Sequence, residues 1–128
     1  MDPVVHFEIP VDNIERAKKF YSSIFGWDIK KFDTPNMEYF GMCTTEMDKK
    51  GMPAKPGAIN GGMLKRDKNV KSPVVAMNVS SIDKYVKKIE KAGGKVVTPK
   101  IPIAEMGFYA YVCDTEGNVI GLWENAKK

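Results

Sequence analysis

The stretch VVHFEIPVD, residues 4–12, holds the single histidine of this 128-residue chain, His6, with Glu8 two positions on. Residues two apart on an extended strand share a face and lie roughly 7 Å apart along the backbone. That is close enough for an imidazole and a carboxylate to share a ligand or a water. Imidazole titrates near neutrality, so the pair has the chemistry to bind a polar group or to move a proton. His6 and Glu8 are therefore the candidate catalytic residues. The competing reading is a histidine hydrogen-bonded in a wall. A partly buried Glu8 predicts that His6 is held in its protonated form.

The surrounding pattern says what must position them. Phe7, Ile9 and Val11 alternate with His6, Glu8 and Pro10, which is a strand with one strongly apolar face. Asp12 or Asn13 can cap a following helix. Ile14, Ala17, Tyr21 and Ile24 recur at helical spacing, and Phe20 and Phe25 widen the stripe. Gly26 supplies the stop. Strand-like runs follow at 27–32 (WDIKKF), 37–44 (MEYFGMCT) and 58–64 (AINGGML). The polar, Gly/Pro-punctuated stretch 46–57 is a connector or a lid. Met37, Met42, Met47, Met52 and Met63 gather around it, as core filler or as an adaptable surface.

The same order then begins again. PVVAMNV at 73–79 is a strand, and Ile82, Tyr85, Val86 and Ile89 stripe a second helix that ends at Gly93–Gly94. KVV at 95–97 is a short strand. GFYAYVC at 107–113 and NVIGLWE at 118–124 form a hairpin across Asp114–Gly117. Asp114, Glu116 and Asn118 read as turn chemistry rather than as a calcium loop. The chain is thus βαβββ twice, offset by 68 residues if Ile14 aligns with Ile82, or by 70 if the PVV strings do. The expected architecture is α+β: two tandem βαβββ modules, about 1–66 and 72–126, in one domain. A curved mixed sheet would surround a cavity, with the helices outside.

Bulk numbers exclude several classes. Hydrophobic residues are 43% and charged residues 28%, an ordinary globular balance. The net charge of +4 comes from lysines interspersed with acids, as in KKIEK, so nucleic-acid binding is not expected. No run suits a membrane span or a signal peptide, so the reading is a cytoplasmic protein with no membrane partner. Cys43 and Cys113 lack metal spacing and read as reduced.

HFEIPVDNIERAKKFYSSIFGWDI at the start and GFYAYVCDTEGNVIGLWE at the end resemble the vicinal oxygen chelate superfamily, the glyoxalase/bleomycin resistance/extradiol dioxygenase group. The likeness spans nearly the whole chain and is nearest to the lactoylglutathione-lyase-related subgroup. It implies a divalent ion held by one ligand in the first and one in the last strand of each module, usually His, Glu, His, Glu. His6 matches the first such position. The second histidine's place falls on Val74 or Ala76, depending on offset, and the final acid's place falls on Gly121. Glu124 should point to the other face, and AINGGML offers only Asn60. Hydrocarbon has no lone pair to give a cation. No metal and no other cofactor are therefore expected.

Strand parity places Val74, Ala76, Asn78, Val119, Gly121 and Trp123 on the cavity face, joined by Tyr109, Tyr111 and Cys113. Phe108, Ala110 and Val112 turn toward the helix. An aromatic wall with few polar groups suits a small-molecule pocket. The small residues Gly61, Gly62, Ala76 and Gly121 leave room in it. The expected ligand-binding residues are His6, Glu8, Asn60, Asn78, Tyr109, Tyr111 and Trp123. The reading is a metal-free binder of a small apolar or aromatic molecule. The alternative is a lyase, isomerase or dioxygenase using His6 and Glu8. The resemblance, together with the prevalence of symmetric dimers, implies a homodimer.

Overall fold

The computed structural model describes residues 1–32 and 38–127. Met37, read above as the start of a strand and one of the clustered methionines, lies outside them. In chain order the elements are β1 (Val4–Val11), α1 (Ile14–Phe25), β2 (Asp28–Phe32), β3 (Tyr39–Cys43) and β4 (Gly61–Lys65), then β5 (Val74–Asn78), α2 (Ile82–Lys91), β6 (Lys95–Ile103), β7 (Gly107–Cys113) and β8 (Val119–Asn125). This is the expected βαβββ order, twice. Two compact units result, one of His6–Pro73 and one of Met1–Val5 with Val74–Lys128, so the boundary passes through β1.

In the first unit the strands run β2-β3-β4-β1, with β1 parallel to β4 and the other neighbours antiparallel. Asn13, rather than Asp12, caps α1, and its Oδ1 accepts from the Arg16 backbone N–H at 2.9 Å. Gly26 closes the helix at φ 72°, a left-handed conformation that glycine adopts without steric cost. Ile14, Val11, Ile29, Phe40, Met42 and Met63 form the core under α1, with Phe7, Ile9, Ala17, Tyr21 and Trp27 packed against it. The alternation read for β1 therefore holds, with Phe7, Ile9 and Val11 toward the helix.

The predicted width of the α1 stripe does not hold. Phe20, Ile24 and Phe25 are 53%, 63% and 56% exposed. Ile14, Ala17 and Tyr21 already fill the core-facing sector, which leaves these three on the flank. Phe20 and Phe25 meet there edge-on, 6.3 Å apart, and Tyr21 stacks on Trp27 at 5.3 Å. The 46–57 stretch ties itself together. The Ala54 N–H donates to the Glu46 carbonyl at 2.8 Å and the Asp48 N–H to the Met52 carbonyl at 2.7 Å.

The second unit repeats the plan, with strands in the order β5-β8-β7-β6, β5 parallel to β8. Its core sets Val79, Ala110, Val112 and Leu122 under Ile82, with Met77, Tyr85, Val86, Ile89, Phe108 and Ile120 around them. Ser81 caps α2, and Glu124 Oε1 accepts from the Ile82 N–H at 2.7 Å. The strand read as KVV continues to Ile103 and carries two register shifts against β7. The extension carries Pro99 and Pro102; β6 ends the strand order, and an edge tolerates proline. At the β7–β8 turn Asp114 Oδ1 accepts from the Glu116 and Asn118 N–H groups at 2.8 and 2.9 Å, which is turn chemistry as expected.

Candidate functional site

On the face of β1 opposite α1, His6 and Glu8 do converge, and a residue the sequence reading did not name joins them. Tyr39, the first residue of β3, places its hydroxyl 2.7 Å from Glu8 Oε2, to which it donates, and 2.8 Å from His6 Nε2. The Tyr39 and His6 rings lie 19° from parallel, with centroids 6.5 Å apart. Strand pairing explains the meeting. Glu8 stands opposite Gly62 on β4, and Gly62 stands opposite Gly41 on β3, so Tyr39 reaches diagonally across β4. A Cβ on Gly62 would fall 1.8 Å from the Tyr39 oxygen. Only a hydrogen at position 62 leaves room for the phenol. Phe32 stacks on the outer side of Tyr39, 5.8 Å away and 6° from parallel, and lies in turn over Gly41.

Burial sets the electrostatics. Glu8 is 4% exposed and Tyr39 8%. Desolvation lowers the His6 pKa from 6.5 to about 4, so the ring is neutral at pH 7. This corrects the expectation that Glu8 keeps His6 protonated. The Tyr39 hydroxyl stands between the two side chains. Tyr39 has one proton, which goes to Glu8. The 2.8 Å contact is then completed by a hydrogen on His6 Nε2, and Nδ1 carries the lone pair.

The second unit repeats the tyrosine-over-glycine arrangement without the ionisable pair. Ala76 stands opposite Gly121 as Glu8 does opposite Gly62, which fixes the offset of the first strands at 68 and sets Val74 in the place of His6. Tyr109 lies opposite Trp123 as Tyr39 lies opposite Leu64. A Cβ on Gly121 would fall 2.0 Å from the Tyr109 oxygen. Tyr109 and Tyr111 meet edge-on at 5.0 Å and are both buried, and Tyr109 tilts against Trp123 at 6.4 Å. The Trp123 indole N–H is committed to Asn125 Oδ1 at 2.7 Å.

Of the remaining expected residues, Asn60 serves the backbone. Its Oδ1 accepts from the Thr44 and Thr45 N–H groups at 2.8 and 3.3 Å, tying the end of β3 to the start of β4. Asn78 is half-buried, and its backbone N–H donates to the Pro3 carbonyl at 2.9 Å. Glu124 faces α2, as expected, where it caps that helix. A separate recess of about 380 Å³ lies beside α1 in the first unit, lined by Pro10, Asn13, Arg16, Phe20 and Arg66 among others. Arg66 is held there by Asp12 Oδ1 at 3.0 Å and by the Pro10 and Lys71 carbonyls.

These donors do not fit a divalent cation. Among the described residues, no three His, Cys, Asp or Glu side chains come together. The space beside Gly62 is filled by the Tyr39 phenol, and the space beside Gly121 by that of Tyr109.

Comparisons with known proteins place the chain. The family described as bleomycin resistance protein-like, N-terminal, matches residues 4–44. A glyoxylase-like domain-containing protein of Didymella fabae is 32% identical over 116 residues, covering 87% of this chain and 84% of that protein. CFP32 of Mycobacterium tuberculosis (strain CDC 1551 / Oshkosh), provisionally named a glyoxylase, is 29% identical over 113 residues; that stretch is 84% of this chain but 40% of the relative's length. Among solved structures, hypothetical protein BH1468 from Bacillus halodurans C-125 matches with a TM-score of 0.68 at 14% identity, over 99% of this chain and 96% of that one. Methylmalonyl-CoA epimerase from Mycobacterium tuberculosis matches at 0.63 and 15%, over 97% and 88%. At such identities the structures show a shared fold. The chain belongs to the vicinal oxygen chelate superfamily, in its glyoxalase and bleomycin-resistance-like branch.

Proposed function

We propose that this chain is a metal-free member of the superfamily that binds a small apolar or aromatic molecule. In the first unit the His6–Tyr39–Glu8 group would be a polar anchor on the sheet face turned away from α1, and in the second unit Tyr109, Tyr111 and Trp123 would give apolar surface on the face turned away from α2. One observation supports the metal-free part: the Tyr39 hydroxyl lies between the two candidate donors, 2.8 Å from His6 Nε2 and 2.7 Å from Glu8 Oε2. Neither Val74 nor Gly121 supplies a replacement donor. The aromatic surface supports the ligand class, since rings and aliphatic groups bury area without needing further polar partners. In this reading the chain acts as one copy of a homodimer.

The other reading, a metal-dependent lyase, isomerase or dioxygenase, needs donors that these strands do not provide. Chemistry through His6 and Glu8 alone stays compatible with the geometry. The test of the binding reading is thermal unfolding with 2-naphthol, an aromatic body carrying one hydroxyl. A ligand at one hundred times its dissociation constant stabilises by about 2.7 kcal/mol. We expect an upward shift of the midpoint that is lost in His6→Ala. No shift at saturating probe, or the same shift in His6→Ala, contradicts the reading.

A further inference from the structure

The chain has two arginines, Arg16 and Arg66, and both line the recess of about 380 Å³ beside α1. Lysine supplies all its other basic side chains except His6. A guanidinium differs from an ammonium in presenting five N–H donors in a planar fork that matches a carboxylate. Arg66 uses three of them to hold itself in place. Its Nε donates to Asp12 Oδ1 at 3.0 Å, Nη2 to the Pro10 carbonyl at 3.3 Å, and Nη1 to the Lys71 carbonyl. Nη1 and Nη2 each keep one further N–H. Arg16 is exposed, and its guanidinium makes no hydrogen bond or ion pair among the described residues.

Aromatic surface adjoins these donors. Phe20 lies one helical turn after Arg16, at the i, i+4 spacing that puts two side chains on one face. Phe20 and Tyr21 both line the recess, their rings at 90° with centroids 5.2 Å apart. Phe20 is 53% exposed because the core under α1 is already filled without it. The geometry points to a further ligand site: this recess binds a small aromatic monocarboxylate, its carboxylate on Arg16 and Arg66 and its ring against Phe20 and Tyr21.

Charge and size select this class. The charged residues of the lining are Arg16, Arg66 and Asp12, which leaves one positive charge to balance. A single carboxylate meets that balance; a phosphate dianion exceeds it, and a cation is repelled. Asp12 does not block the site, because it holds the Nε of Arg66 and the remaining donors are on Nη1 and Nη2. The three bonds on Arg66 fix its fork before a ligand arrives, so less side-chain freedom is lost on binding. The volume is at the small end of ligand clefts, which run from roughly 300 to 1,000 Å³. The site is separate from the His6–Tyr39–Glu8 group, which lies on the β1 face turned away from α1, and it stands whether or not that group binds anything.

Because the chain has two arginines, a ¹⁵N-labelled sample gives two Nε–H signals to follow. The probe is 2-naphthoate. Its comparisons are 2-naphthamide, the same ring without charge, and acetate, the charge without the ring. We expect both Nε–H signals to move with naphthoate along one binding curve, and both comparison molecules to bind at least about tenfold more weakly. Arg16→Gln removes a side chain that holds nothing in the fold. It should leave the unfolding midpoint unchanged and weaken naphthoate binding by about tenfold. Nε–H signals that stay still at millimolar naphthoate overturn the site. So does full affinity in Arg16→Gln, or a naphthamide or acetate affinity equal to that of naphthoate. Movement confined to the His6 ring puts the anion on the sheet face and overturns it as well.

Discussion

Glu8 and Tyr39 are linked by a 2.7 Å hydrogen bond in a setting where neither meets bulk water. Removing the hydroxyl leaves a buried carboxylate short of a donor, so Tyr39→Phe should cost about 1–3 kcal/mol in urea unfolding. A result within experimental error of wild type would mean that another donor serves Glu8. His6 adds a pH dependence. Its folded pKa of about 4 lies below the 6.5 of an unfolded histidine, so between these values the unfolded chain binds more protons. Its contribution is complete above pH 6.5, falls as pH drops toward 4, and then levels off. The full loss is on the order of 3 kcal/mol. Urea midpoints at pH 7 and 4.5 should therefore diverge more for wild type than for His6→Gln. Equal divergence contradicts a buried neutral ring. The proximity of His6 and Glu8 was legible from their spacing on one strand. Tyr39 was not, because its contact depends on how β3 registers against β4 and on Gly62 being bare. The signal was present as a glycine pair in AINGGML and as the tyrosines that recur in both modules.

At the scale of elements, two glycines have the same task. Gly62 and Gly121 each accept a tyrosine ring from the neighbouring strand, with the phenol oxygen 1.8 and 2.0 Å from where a Cβ would be. Gly62→Ala should displace Tyr39 and cost about 1–3 kcal/mol, as overpacking does. Gly121→Ala should do the same through Tyr109. Calorimetric midpoints measure both, and unchanged midpoints would show that the rings relocate freely. The period-two pattern was strong enough to place β1, β7 and β8, and the glycine and cap residues placed both helices. It was too weak to find the extent of β6, where two prolines interrupt the pattern of an edge strand, or the exposure of Phe20, Ile24 and Phe25, where helical spacing alone marks a wider stripe than the core can use. Parity did separate the two faces of β7, sending Ala110 and Val112 under α2 and leaving Tyr109 and Tyr111 opposite.

For the whole molecule, the doubled βαβββ order and the superfamily were both readable, since they rest on long periodic segments and on a repeat. No helix among the described residues is long and apolar enough to cross a membrane. The two modules share a plan and differ in what they carry. The first keeps His6 and Glu8 tied to Tyr39; in the second, hydrocarbon stands at Val74 and Ala76. That asymmetry is what supports the metal-free reading proposed above. Elemental analysis of the purified protein, after equilibration with zinc and then buffer exchange, puts this most directly to the test. The account predicts no stoichiometric divalent ion in wild type and no change in His6→Ala. One ion per chain, lost when His6 is replaced, would contradict it.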